Sequence, residues 1–76
     1  MSPRQKAVLE FINIWIQVHG YSPSQTEIAL GMKLRSRSNI HRIVHVLRGL
    51  GLLHVKPNVN RSVKVVDKTV EKILSL

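Results

Sequence analysis

The stretch SQTEIALGMKLRSRSNIHRIVHVLRGL, Ser24 to Leu50, decides the fold. It opens with Ser24-Gln25-Thr26-Glu27, a capping box whose hydroxyl and carboxylate satisfy the free amide donors of a helix start. The run Ile28-Ala29-Leu30-Gly31-Met32 then reads as a short helix, and Lys33-Leu34-Arg35 as the turn that ends it. Ser36 stands where a cap belongs for a longer helix, Arg37 to Leu50. Helical spacing gives that helix a buried stripe of Ile40, Ile43, Val44, Leu47 and Leu50, and an outward face of Arg37, Ser38, His41, Arg42 and His45. Gly49 and Gly51 end it.

Upstream, Ser2-Pro3-Arg4-Gln5 combines a hydroxyl cap, Pro at the first helical position and Gln at the third, and predicts a helix from Pro3 to about His19. Val8, Phe11, Ile12, Trp15 and Ile16 fall in one stripe, flanked by Ala7, Ile14 and Val18 on one side and Leu9 on the other. The apolar arc is roughly 220° wide, against about 100° for a single core contact, so something besides the domain core should cover it. Gly20 supplies a left-handed end, and Tyr21-Ser22-Pro23 leads out.

Downstream, Leu52 to Lys56 and Arg61 to Val66 carry β-branched residues on either side of the turn-rich Pro57-Asn58-Val59-Asn60 and read as a hairpin. Three helices followed by a basic hairpin make a winged helix-turn-helix over residues 1–66, mainly α with a small β-hairpin. In residues 67–76, Val70, Ile73 and Leu74 follow a candidate Asp67 cap at helical spacing, which predicts a short amphipathic C-terminal tail helix.

The charge carries the functional signal. The formal net charge is +8 and the pI about 11.0. Between Ile28 and Val66 lie Lys33, Arg35, Arg37, Arg42, Arg48, Lys56, Arg61 and Lys64, with no Asp or Glu. A folded surface of one sign attracts a polyanion, and nucleic acid ranks ahead of an anionic membrane surface or a merely solvated face. A domain of 76 residues buries only about 60% of its unfolded surface and seldom spares a catalytic pocket. No nucleophile and base lie at a convincing spacing, and of Glu10, Glu27, Asp67 and Glu71 two read as caps, so neither an enzyme nor a cofactor is expected. The chain has no Cys, which excludes disulfides and Cys-rich zinc modules. With no signal peptide pattern and no apolar run of about 18 residues, a soluble cytoplasmic, nucleoid-associated protein is expected.

A resemblance enters through joint spacing: Ser2-x-Arg4-Gln5-x-x-Val8-Leu9-x-x-Ile12, then Gly20-x-x-Pro23-Ser24-x-x-Glu27-Ile28-Ala29, then Arg35-Ser36, Leu47 and Gly51. In this the chain resembles the N-terminal DNA-binding domain of LexA-type SOS repressors, over about residues 2 to 66. The resemblance implies a third helix that enters the major groove and places Arg61 on a basic wing position. It also aligns Ser36, Ser38 and Asn39 with the family's helix-start positions, where Asn pairs with adenine and Ser donates or accepts. Three departures stand out. LexA-type repressors continue into a self-cleaving peptidase domain with a Ser/Lys dyad, whereas this sequence stops at Leu76, so autoproteolysis is not carried over. The family usually has Gly in the turn where Lys33 stands; a left-handed non-Gly residue costs about 1 kcal/mol, which favours a reshaped turn. Known bacterial repressors carry an acidic pair at His41 and Arg42, so their operator is not assumed.

The expected DNA contacts are Arg35, Ser36, Arg37, Ser38, Asn39, His41, Arg42, His45, Arg48, Lys56, Arg61 and Lys64. Arg42 lies about 160° from the core stripe, where its guanidinium can take O6 and N7 of a guanine, or else a phosphate. Arg35, Arg48, Lys56, Arg61 and Lys64 read as backbone clamps. Ser36 is equally a cap, and Asn39 sits near the core edge of the wheel, where a local backbone bond also accounts for it. His41 and His45 have a spacing that can hold a metal, but with no third ligand nearby no metal is expected. Three lone aromatics are too few for a single-strand stacking platform.

These readings favour a sequence-specific regulator of double-stranded DNA, a repressor acting by promoter occupancy, of bacterial or phage type. The alternatives are an interaction module whose apolar first helix docks an unidentified protein, and a nonspecific nucleoid binder. A homodimer is the expected assembly, through Val70, Ile73 and Leu74 of the tail and Ile14 and Val18 of the first helix.

Overall fold

The computed structural model describes residues 2–34, 37–56 and 62–66. The chain is mainly helical: α1 (Pro3–His19), α2 (Gln25–Gly31) and α3 (Arg37–Gly49), then a two-stranded antiparallel sheet of β1 (Leu53–His54) and β2 (Lys64–Val65). Three helices and a wing make it a winged helix-turn-helix. No helix among the described residues is long and apolar enough to cross a membrane. The predicted tail, residues 67–76, and the turn Pro57-Asn58-Val59-Asn60 lie outside the described residues.

Both predicted capping boxes form. Ser2 Oγ accepts from the Gln5 amide at 3.1 Å while Gln5 Oε1 accepts from the Ser2 amide at 3.0 Å. Ser24 and Glu27 repeat the exchange at 3.1 and 2.9 Å, so α1 and α2 each start with orphan donors satisfied by local side chains.

The helix ends are equally local. At α1, the Gly20 amide donates to Ile16 O with φ at 78°. After α2, the Lys33 amide donates to Leu30 O and the Leu34 amide to Ala29 O. After α3, Gly51 donates to Arg48 O and Leu52 to Leu47 O. The last two are the same Schellman reversal, built once around Gly51 at φ 77° and once around Lys33 at φ 57°. The turn after α2 is therefore not reshaped to avoid the strain; the lysine adopts the left-handed backbone.

The core joins all elements: Val8, Leu9 and Ile12 of α1, Ile28 and Ala29 of α2, Ile40, Val44 and Leu47 of α3, and Leu52, Leu53 and Val63 at the wing base. Burying each large aliphatic side chain contributes roughly 1.5–3 kcal/mol before ordering entropy. Phe11 packs against this core, and Gly31 leaves the room: a Cβ there would overlap Cε2 and Cζ of the Phe11 ring. On α1, Leu9, expected on the flank, is fully buried, while Phe11, Trp15 and Ile16 of the expected stripe are half-buried. The buried stripe of α3 changes at two positions. Ile43 is only half-buried, and Leu50, expected in the buried stripe, is 56% exposed. Leu50 lies past the last turn of α3, and the reversal at Gly51 delivers Leu52 to the core in its place.

The wide apolar face of α1 is partly covered by aromatics. Trp15 lies 6.0 Å from Phe11, 4.2 Å from His19 and 6.4 Å from Tyr21, ring centre to ring centre. Ile14 and Val18 stay 50% and 71% exposed. The strands are shorter than the periodicity predicted, two residues each, with Leu53 opposite Val65 and His54 opposite Lys64.

Candidate nucleic-acid interface

Helix α3 is held from behind by Ile40, Val44 and Leu47, all in the core, so its opposite face turns to solvent. Ser38, His41, Arg42, His45 and Arg48 are all exposed. Two lines run along that face at the i, i+4, i+7 spacing of neighbouring turns: Ser38, Arg42 and His45, and beside them His41, His45 and Arg48. Asn39 is exposed as well, where the wheel put it near the core edge. A side chain in the first turn has no preceding turn to lie over, which accounts for the difference. Arg35 and Ser36 lie outside the described residues, as does the side chain of Arg37, the first residue of α3.

The wing supplies the second cationic face. His54 and Lys64 stand directly opposite each other across the strands, and both are exposed, so their side chains share one face. Lys56 is exposed just beyond β1, while Arg61 lies outside the described residues. Ser62 fastens the wing next to Lys56: its hydroxyl accepts from the Lys56 amide at 3.0 Å and donates to the Lys56 carbonyl at 3.0 Å. The Val66 amide closes the other side on Leu52 O at 3.1 Å. His54 and Ser62 were not singled out by the sequence reading. The two-residue strand pairing reveals the first, and the fold alone brings Ser62 to Lys56.

Helix α2 reaches the exposed face of α3 through Gln25, whose Nε2 lies 3.4 Å from His41 Nδ1. This contact also escaped the sequence reading, since Gln25 there was only the interior of a capping box. The carboxylate nearest in sequence to this surface, Glu27, is turned back onto the Ser24 amide. No Asp or Glu follows until Asp67. The resulting surface offers a planar guanidinium fork, imidazoles that donate or accept, and short hydroxyl and amide groups, with lysines on the wing. That is the inventory for reading base edges while clamping phosphates.

The residues expected to form the dimer divide. Ile14 and Val18 are exposed on α1, and Val70, Ile73 and Leu74 lie outside the described residues.

Comparison with known proteins agrees with the geometry. The LexA repressor of Acetivibrio thermocellus is 33% identical over 67 residues, covering 88% of this chain and 32% of that protein. The LexA repressor of Koribacter versatilis is 38% identical over 65 residues, covering 86% and 31%. That of Carboxydothermus hydrogenoformans is 31% identical over 77 residues, covering all of this chain and 38% of the relative. The chain thus spans about a third of the length of the curated relatives it matches. The family described as LexA DNA binding domain matches residues 1–62, which takes in all three helices and the wing strand β1, and the chain belongs to that family.

Proposed function

We propose that the chain is a sequence-specific double-stranded DNA-binding unit of a transcriptional repressor, acting by occupying a promoter. The observation that carries this is the exposed face of α3, bearing Ser38, His41, Arg42, His45 and Arg48 with no acidic residue from Ile28 to Val66. In this reading α3 lies in the major groove, with Arg42 and His41 toward base edges. Lys56, Arg61 and Lys64 of the wing hold the backbone, together with Arg35 and Arg48. Ser36, Ser38 and Asn39 meet the duplex at the start of the helix. The place of work is the nucleoid, in the cytoplasm. The relatives' printed name, LexA repressor, supports the choice of repression over activation.

Salt-dependent binding to a labelled duplex is the direct test. With about six phosphates engaged, affinity falls roughly a thousandfold between about 50 and 200 mM salt. A flat salt response, or negligible duplex affinity at low salt, overturns the reading in favour of a protein-docking module. Equal competition by unrelated duplex reduces it to nonspecific binding.

The exposed Ile14 and Val18 favour a second element of the reading, a homodimer. A single winged helix covers one half-site, and two-fold pairing through α1 and the tail residues Val70, Ile73 and Leu74 would present two recognition helices about one helical turn apart.

A further inference from the structure

We propose that Gln25 is a positioning residue for the recognition helix: it fixes which nitrogen of His41 carries the proton and so makes that ring a hydrogen-bond donor toward DNA. The inference rests on the DNA-binding reading above and adds to it a residue of α2 that touches no base itself.

The argument begins with the 3.4 Å separation of Gln25 Nε2 and His41 Nδ1. An amide NH2 has hydrogens to give and no lone pair to offer, so in this pair the glutamine donates and Nδ1 accepts. A neutral imidazole that accepts at Nδ1 carries its proton on Nε2. The partner thus selects one tautomer and limits the rotation of a ring that is otherwise exposed.

Both ends of the contact are anchored. Gln25 sits inside the Ser24–Glu27 capping box, whose two hydrogen bonds fix the backbone on either side of it. One residue before His41, Ile40 is fully buried in the same core as Ile28 and Ala29 of α2. The packing of α2 on α3 therefore holds the two backbones at the spacing that brings these side chains together.

The chemistry of the ligand follows. An Nε2–H donor matches the major-groove acceptors: purine N7, guanine O6 and thymine O4. It finds no acceptor on cytosine, which shows only its amino group there. At the one base His41 reads, purine or thymine should be accepted and cytosine disfavoured, by about fivefold for a single hydrogen bond.

Two measurements on the full chain decide it. In the free protein, long-range proton–nitrogen NMR of the neutral His41 ring should show Nε2 protonated and Nδ1 bare. Gln25→Leu should give a tautomer mixture. Gln25→Glu, whose carboxylate can only accept, should move the proton to Nδ1. Selection of bound duplexes from a random library should show Gln25→Leu relaxing preference at one position, with the ratio of preferred to random affinity falling about fivefold. A ring unbiased in the wild type, or a preference unchanged by Gln25→Leu, overturns the positioning role. A wild type with the tautomer bias but no duplex affinity overturns the functional reading instead, and with it the claim on base preference.

Discussion

Lys33 has the one left-handed backbone among the described non-glycine residues, at φ 57°. Its amide and that of Leu34 still close the reversal on Leu30 O and Ala29 O, so the fold tolerates a side chain where Gly51 shows what the geometry prefers. The side chain is exposed, which leaves the backbone as the main cost. Lys33→Gly is expected to raise unfolding stability by about 1 kcal/mol, read in urea melts. It also deletes one cation from the basic surface, so duplex affinity should drop for all sequences alike. A stabilised variant with full affinity would remove Lys33 from the electrostatic footprint. Arg42 and Lys64 separate base reading from backbone clamping by the same logic. Arg42→Ala should cost about 1–3 kcal/mol and relax preference at one or two positions, whereas Lys64→Ala should weaken every duplex equally and lower the salt slope by about one. Equal losses on cognate and random duplex for both would make Arg42 a phosphate contact.

At the scale of elements, the helices were legible in the sequence because what starts and stops them is local. Ser2 with Gln5, Ser24 with Glu27, and Gly20 and Gly51 all act within a few residues, and the cap and stop signals marked the ends of α1 and α2. What depends on elements meeting was not legible. A wheel treats each helix as endless, and so it put Leu50 in the core and Asn39 near its edge. Strand length was overestimated because pairing at the wing stops at Leu53–His54 and Lys64–Val65, where Ser62 takes over with side-chain bonds to Lys56. Gln25 and Ser62 lie 16 and 6 residues from their partners, and no local pattern announces either contact. The wing itself yields a prediction. Ser62→Ala removes both hydrogen bonds to Lys56 at an exposed site, worth about 0.5–1.5 kcal/mol each, and should loosen the wing without unfolding the helical core. Amide exchange should speed up at Lys56 while Ile12, Ile28 and Val44 stay protected, and affinity should fall similarly on all duplexes. Exchange unchanged at Lys56 would show that the strands alone hold the wing.

For the whole molecule, the open question is what meets the apolar residues that neither the core nor the aromatic row of Phe11, Trp15, His19 and Tyr21 covers. Val18 is 71% exposed and Ile14 50%, four residues apart on one face of α1. Both residues belong to α1 and neither to α3 nor to the wing, so a contact made through them would use no residue of the recognition helix. A dimer built there gains from a second half-site: each protomer restrains the other, and the second contact becomes intramolecular. The expected outcome is two protomers on a palindromic duplex whose half-sites are spaced by about 34–36 Å. Sedimentation of the full chain, free and on that duplex, reads it directly. Ile14→Ser with Val18→Ser should leave the melting transition nearly unchanged, because both side chains are largely solvated, yet reduce binding to one protomer at a time. Removing residues 67–76 separates the two sides of the contact: a monomer that keeps its stability means the tail crosses to the partner. One protomer per duplex for the unaltered chain, with truncation affecting stability alone, would instead place the tail on its own α1 and refute the dimer.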